Sequence, residues 1–105
     1  MATIDVSNGF PGKSNKYAYT ATGAQDWIVG IQPPFSVALF PAGGTSKVEY
    51  TFDTRENLAT TTDILTWPDG AIASGTQNAL FSHVTAIRCN VVAGTCTMYI
   101  AGMVK

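Results

Sequence analysis

Short stretches in which apolar and polar residues alternate recur along the chain about every ten residues, a spacing typical of antiparallel β-sheet proteins. The clearest of them spans residues 47–53. Its predicted apolar face holds Val48, Tyr50 and Phe52, and its predicted polar face holds Lys47, Glu49 and Thr51. Further strands are predicted at residues 16–22, 26–31, 35–40, 85–92 and 95–103. No stretch of helical length shows a period of 3.6 residues.

Turn-forming residues separate these stretches. The alternation is interrupted at Gly23-Ala24-Gln25, at Pro33-Pro34, in the segment 41–44 and at Trp67-Pro68-Asp69-Gly70. Residues 54–82 are the least regular part, and we expect residues 71–80 to form a loop. The pattern predicts an all-β fold, an antiparallel β-sandwich of about seven or eight short strands, either jelly-roll-like or Ig-like.

The first fifteen residues are rich in turn formers and have no strong periodicity. We predict an N-terminal arm at residues 1–15, in which residues 3–6 can form a short edge strand, and one sandwich domain at residues 16–105.

The cysteines Cys89 and Cys96 flank a predicted hairpin turn at Ala93-Gly94. In that hairpin Cys89 would face Met98, and the two sulfur atoms would lie diagonally, too far apart for an easy bridge. We therefore expect two buried thiols, with a disulfide as the less favoured alternative.

Charged residues make up only 12% of the chain, against about 25% in typical proteins, and the net charge is −1. Without a basic excess, we expect no binding to nucleic acid. The first ten residues do not resemble a signal peptide, and no stretch is apolar enough to predict a membrane span. We therefore expect the protein to be made in the cytosol and to have no membrane partner.

The sequence contains few side chains that could carry out catalysis. The aspartates fall at predicted strand ends and turns, where Asp commonly accepts hydrogen bonds from nearby backbone, and His83 is the only histidine. No nucleophile motif, phosphate-binding loop or metal-ligand spacing accompanies them. We therefore predict no enzyme activity, no metal and no cofactor.

Five segments carry a resemblance to a known class of proteins. They are Tyr-Thr-Ala-Thr-Gly-Ala-x-Asp-Trp at 19–27, Pro-Phe-Ser-Val-x-Leu at 34–39, Gly-Gly-Thr-x-x-Val-x-Tyr-x-x-Asp at 43–53, Trp-Pro at 67–68 and Val-Thr-Ala-Ile-Arg-x-Asn-Val-x-x-Gly-Thr at 84–95. In order and spacing the chain resembles small β-sandwich virion proteins of tailed bacteriophages, such as capsid decoration (cement) proteins and related head or fibre proteins.

The resemblance implies a structural role in the virion, assembled in the host cytoplasm. The leading hypothesis is a decoration protein that binds the outer head surface, with the major capsid protein or other virion proteins as partners, and that forms a homo-oligomer, with a trimer favoured. A head-fibre, collar or tail component is one alternative. A carbohydrate-binding module that exposes Trp67 and Tyr99 is another.

The low charge fits either a neutral solvent surface or a surface covered in an assembly, and we favour the second explanation. The candidate contact residues lie in the arm, in the irregular segment and on the polar face of the last strand. They are Ile4, Val6, Phe10, Pro11, Leu58, Trp67 and Tyr99.

Overall fold

The computed structural model describes residues 3–5, 14–31, 34–80 and 84–102, and nearly all of its regular structure is β-strand. The strands are β1 (Thr3–Asp5), β2 (Ser14–Tyr19), β3 (Gly23–Ala24), β4 (Trp27–Val29), β5 (Phe35–Ala42), β6 (Ser46–Thr51), β7 (Leu65–Thr66), β8 (Thr76–Leu80), β9 (Ala86–Val91) and β10 (Thr95–Gly102). One 3-10 turn spans Arg55–Asn57. The predicted all-β class is confirmed.

Two sheets pack face to face as a β-sandwich. The four-stranded sheet has the order β2-β10-β5-β8, and all its pairs are antiparallel. The six-stranded sheet has the order β1-β4-β9-β6-β7, with β3 paired to β9 beside this path. Its pairs are also antiparallel, except that β1 runs parallel to β4.

The strand order distinguishes between the two sandwich topologies expected from the sequence. We set aside β1, at the edge of the six-stranded sheet, and β3, beside its main path. The eight remaining strands, renumbered along the chain, lie in the orders 1-8-3-6 and 2-7-4-5. These are the two sheets of an eight-stranded jelly roll. Most connections carry the chain from one sheet to the other, including those between β5 and β6 and between β9 and β10.

The predicted hairpin of the last two strands is therefore wrong. Strand β9 pairs with β4 and β6 in one sheet, whereas β10 pairs with β2 and β5 in the other. The Ala93-Gly94 turn carries the chain across the sandwich. The sequence could not reveal this, because the alternation along each strand is the same whether a turn joins neighbours in one sheet or strands in facing sheets.

The core lies between the sheets and is built from alternate residues of the central strands. Buried side chains from the four-stranded sheet include Phe35, Val37, Leu39, Cys96, Met98 and Ile100, and those from the six-stranded sheet include Ile28, Val48, Ile87, Cys89 and Val91. The apolar face predicted for the last two strands is thus confirmed as a core face.

The two turns at one end of the sandwich pack against each other. The Thr45 carbonyl accepts hydrogen bonds from the backbone N–H groups of Val92 at 2.9 Å and Ala93 at 3.1 Å. A Cβ atom added at Gly44 would meet the backbone of Ala93, and one added at Gly94 would meet the Ala42 carbonyl. Both positions thus need glycine because another backbone segment occupies the space of a side chain.

Several predicted boundaries differ from the structure. The predicted loop at 71–80 contains β8, which pairs with β5. The predicted turn at Gly23-Ala24-Gln25 contains the short strand β3, which pairs with β9. The edge strand expected at residues 3–6 is found at Thr3–Asp5, and the first long strand begins at Ser14, inside the predicted arm. In each case a backbone partner distant in sequence supplies the hydrogen bonds that the local pattern does not indicate.

Candidate interaction surface

The outer face of the four-stranded sheet is almost without charge. Its members alternate along β2, β5 and β10 with the buried core residues, and lysine is the only charged side chain among them. They are Lys16, Ala18, Ser36, Ala38, Phe40, Ala42, Thr95, Thr97, Tyr99 and Ala101. We call this surface the neutral face. None of its members is buried.

Two aromatic rings stand at the centre of the neutral face. Tyr99 on β10 and Phe40 on β5 meet edge to face, with ring centroids 5.7 Å apart. On the other side of Tyr99, the ammonium of Lys16 lies 5.9 Å from the ring centroid. Phe40 is 51% exposed, which leaves about half of a large apolar side chain in contact with water.

A glycine supports the exposed ring of Phe40. A Cβ atom added at Gly75 would lie 2.8 Å from Cδ1 and 2.9 Å from Cε1 of that ring. The segment before β8 thus packs directly against Phe40, while Tyr99 packs against it from β10. The exposed ring is therefore held in position from two sides.

The outer face of the six-stranded sheet differs, because the chain itself covers part of it. A small second core there joins Trp27, Val29 and Ala86 to Leu58, with Ile64 packed against them. Leu58 is only 4% exposed. Proposed from the sequence as a contact residue, it lies inside the protein because the 3-10 turn folds its apolar side chain onto the sheet.

Beside this second core lies a polar network. Nε of Arg88 donates to Oε1 of Glu49 at 2.8 Å, and Nδ2 of Asn90 donates to Oε2 of Glu49 at 3.2 Å. The Lys47 ammonium lies 3.5 Å from the same carboxylate. Glu49 and Arg88 are buried. The polar face predicted for residues 47–53 is therefore not exposed to solvent at Glu49. The ion pair and the side-chain hydrogen bonds offset the cost of burying the charges.

An open groove of about 540 Å³ lies at the end of this sheet, lined by Phe52, Asp53, Thr62, Asp63, Ile64 and Leu65. Hydrogen bonds from the Thr61 hydroxyl, the backbone N–H of Thr54 and the Asn57 side chain lower the pKa of Asp53. Its carboxylate accepts the Thr54 N–H at 2.8 Å, which is the turn-stabilising role predicted for the aspartates.

The aromatic platform needed for the carbohydrate-binding alternative is not assembled. Trp67 packs against the core between the sheets, and its ring centroid lies 6.2 Å from that of Tyr50. Tyr99 lies on the neutral face, on the other side of the four-stranded sheet. The two rings proposed for a sugar platform therefore do not share a surface.

The remaining candidate contact residues belong to the N-terminal segment. Ile4 lies on β1, where its register partner is Ile28. Val6, Phe10 and Pro11, like His83, lie outside the described residues. Of the three candidates whose side chains the structure describes, Leu58, Trp67 and Tyr99, only Tyr99 lies on an open sheet face.

Phe40 is the residue that the sequence analysis missed. Its strand was predicted, but its faces were not assigned. Phe35, Val37 and Leu39 are buried, and Phe40 stands one residue out of phase with them, beside Ser36 and Ala38. An apolar residue out of phase with the core is the signal that could have identified it.

The described residues contain neither a metal-binding cluster nor a membrane-spanning helix. No group of three or more His, Cys, Asp and Glu side chains is placed to hold a metal ion within that part of the chain. Among the same residues, no helix has the length and apolar character to cross a membrane. Comparison with protein-family models, with curated proteins and with solved structures finds no match to this chain.

Proposed function

We propose that the protein is a non-enzymatic structural protein that works by packing its neutral face against other proteins. The observation that carries this proposal is the pair Phe40 and Tyr99 at the centre of a sheet face whose only charged described side chain is Lys16. Charged residues are depleted and aromatic residues enriched at the cores of protein interfaces. Tyrosine also offers a large contact area at a low cost in conformational entropy.

The geometry of this face suits a protein partner. The sheet presents its alanines, serine and threonines as short side chains around the two rings, so a second surface can approach the backbone closely. Burying the exposed part of Phe40 would remove apolar area from water at a gain of about 25 cal/mol per Å². Because Tyr99 and the segment at Gly75 already fix the Phe40 ring, little side-chain entropy remains to be lost on binding.

The place proposed for this assembly is the outer surface of a tailed-phage head, where the chain would act as a decoration protein. This part of the proposal rests on the sequence resemblance. The jelly-roll order is compatible with it, because that fold occurs in viral capsid domains, although it also occurs in lectins and cupins. Head-fibre, collar and tail locations remain alternatives within the same class.

Decoration would stabilise the shell by mass action. A protein that binds the assembled lattice, and not its free subunits, shifts the equilibrium toward the assembled state. A homo-oligomer, with a trimer favoured, would let several copies bind the lattice together and so raise the avidity of each contact.

The experiment is to purify particles of the virus proposed to encode the chain and to image them. We expect the chain in the particles by mass spectrometry, at a copy number comparable to the capsid protein, and as density on the outer head surface. Density on a fibre, collar or tail would support a structural role in the virion at a location other than the head surface. Absence of the chain from purified particles would contradict the virion assignment.

A further inference from the structure

The two cysteines lie on facing strands of the sandwich. Cys89 is in the middle of β9, in the six-stranded sheet, and Cys96 is the second residue of β10, in the four-stranded sheet. Both side chains point into the core, where Cys89 is 0% exposed and Cys96 is 2% exposed. The diagonal arrangement on one sheet, which argued against a bridge, therefore does not exist.

The two thiols are neighbours across the core. Burial raises the pKa of Cys89, and the adjacent Cys96 thiol raises it further through its charge and a side-chain hydrogen bond. Both cysteines belong to the same buried cluster between the sheets, and both are free thiols in this structure.

We propose that Cys89 and Cys96 form a modification site at which a low-molecular-weight disulfide, such as oxidised glutathione, closes a bridge between the two sheets. One cysteine thiolate attacks the glutathione disulfide, forms a mixed disulfide and releases one glutathione thiolate. The second cysteine, on losing its proton, attacks the protein sulfur of the mixed disulfide and releases the second glutathione. Two protein thiols are oxidised, and one disulfide is reduced to two thiols.

The consequence is a covalent link between the central strands of the two sheets. The bridge would close the short loop that contains the crossing turn, and it would remove conformational freedom from the unfolded chain. Because both thiols are buried, exchange requires the turn to open or the chain to fold in the presence of the oxidant. The same fold would then exist in a dithiol form and a bridged form, according to the redox poise of the compartment.

The test is to refold the purified protein from denaturant in a glutathione redox buffer and, in parallel, with an excess of reductant. We expect the first sample to lose two hydrogens in mass and both alkylatable thiols, to keep its β-sheet circular dichroism, and to melt about 10 °C above the reduced sample. Sedimentation should give the same size for both samples, because the bridge is intramolecular.

The variants Cys89→Ala and Cys96→Ala provide the matched controls. Each should fold, and neither should gain thermal stability from the oxidising buffer. The proposal is overturned if the refolded wild-type protein keeps two alkylatable thiols, if it forms disulfide-linked dimers, or if the bridged form melts below the dithiol form. Refolding gives the oxidant access to both sulfur atoms, so retention of both thiols cannot be explained by burial.

Discussion

The guanidinium of Arg88 stacks over the indole ring of Trp27, with its central carbon 4.2 Å from the ring centroid. The same guanidinium donates to the Glu49 carboxylate at 2.8 Å. Arg88 thus links the polar network to the second core, and it does so in the centre of the six-stranded sheet. A planar, delocalised cation can make both contacts, whereas a lysine ammonium at this position would lose the flat stack.

Removal of Arg88 should therefore destabilise the protein strongly. In Arg88→Ala, the buried Glu49 carboxylate keeps Asn90 and Lys47 as its partners among the described residues, and we expect a loss of about 3 kcal/mol in the free energy of unfolding. Urea denaturation followed by circular dichroism measures this loss.

Lys47→Ala is the control, because it removes the other cation from the same carboxylate at a more exposed position. It should cost less than about 1 kcal/mol. The double variant Glu49→Gln, Arg88→Met should be more stable than Arg88→Ala alone, since it leaves no unpaired buried charge. If Lys47→Ala costs as much as Arg88→Ala, the buried pair does not have the role assigned to it.

A second prediction tests the contact between the two turns. Gly43 and Gly94 have similar positive φ angles, 71° and 75°, but a Cβ atom would meet nothing at Gly43 and would meet backbone atoms at Gly94. Both alanine variants bear the cost of the left-handed conformation. Gly94→Ala should lose about 1–3 kcal/mol more than Gly43→Ala because of overpacking. Equal losses in thermal or urea unfolding would contradict the packing of these two turns.

Alkaline pH provides a third prediction. Burial raises the pKa of Tyr19 above its usual 10.0, and the charges of Cys89, Tyr17, Cys96 and Asp26 raise it further. The folded state therefore favours the neutral phenol. The contribution of Tyr19 to the free energy of unfolding is intact below about pH 10. It is lost as the pH rises above that value, because the phenol of Tyr19 releases its proton at lower pH in the unfolded chain than in the folded protein.

Tyr19→Phe should thus reduce the loss of stability that urea denaturation measures as the pH rises above about 10. At neutral pH the variant should be as stable as the wild-type protein or slightly more so, since the Tyr19 hydroxyl is buried and has no hydrogen-bond partner among the described residues. A variant that lost stability with alkaline pH as steeply as the wild-type protein would show that ionisation of Tyr19 does not contribute.

Periodicity predicted much of the fold, because the central strands keep a regular alternation. The strands predicted at 47–53 and 95–103 are found at Ser46–Thr51 and Thr95–Gly102, and Val48, Met98 and Ile100 were correctly placed on buried faces. Phe52, predicted on the same apolar face as Val48, lies beyond the end of β6 and is exposed. The pairing of strands was harder to predict from the sequence. Strand β8 contains Gln77 and Asn78, has no apolar alternation, and is held by its ladder to β5. Such long-range pairing leaves no local signal.

The candidate surface was only partly predictable. Tyr99 was placed on the polar face of the last strand, and it lies on the neutral face. Leu58 follows a 3-10 turn in an irregular segment, and nothing in the local sequence shows that this segment folds back onto Trp27 and Ala86. Phe40 became recognisable as a surface residue only when the sheet showed which side of β5 faces the core.

The central claim, that the neutral face binds protein neighbours, is tested most directly by co-sedimentation with particles that lack the protein. The variant is Phe40→Asp, and Phe52→Asp is its matched control, since Phe52 is 59% exposed and lies beside the groove, away from the neutral face. Circular dichroism should first show that both variants are folded.

We predict that Phe40→Asp lowers occupancy of the particles about tenfold or more, because a charge would be buried at the centre of the contact, and that Phe52→Asp binds within about twofold of the wild-type protein. Binding of Phe40→Asp at the wild-type level, or loss of binding in Phe52→Asp alone, would contradict the account.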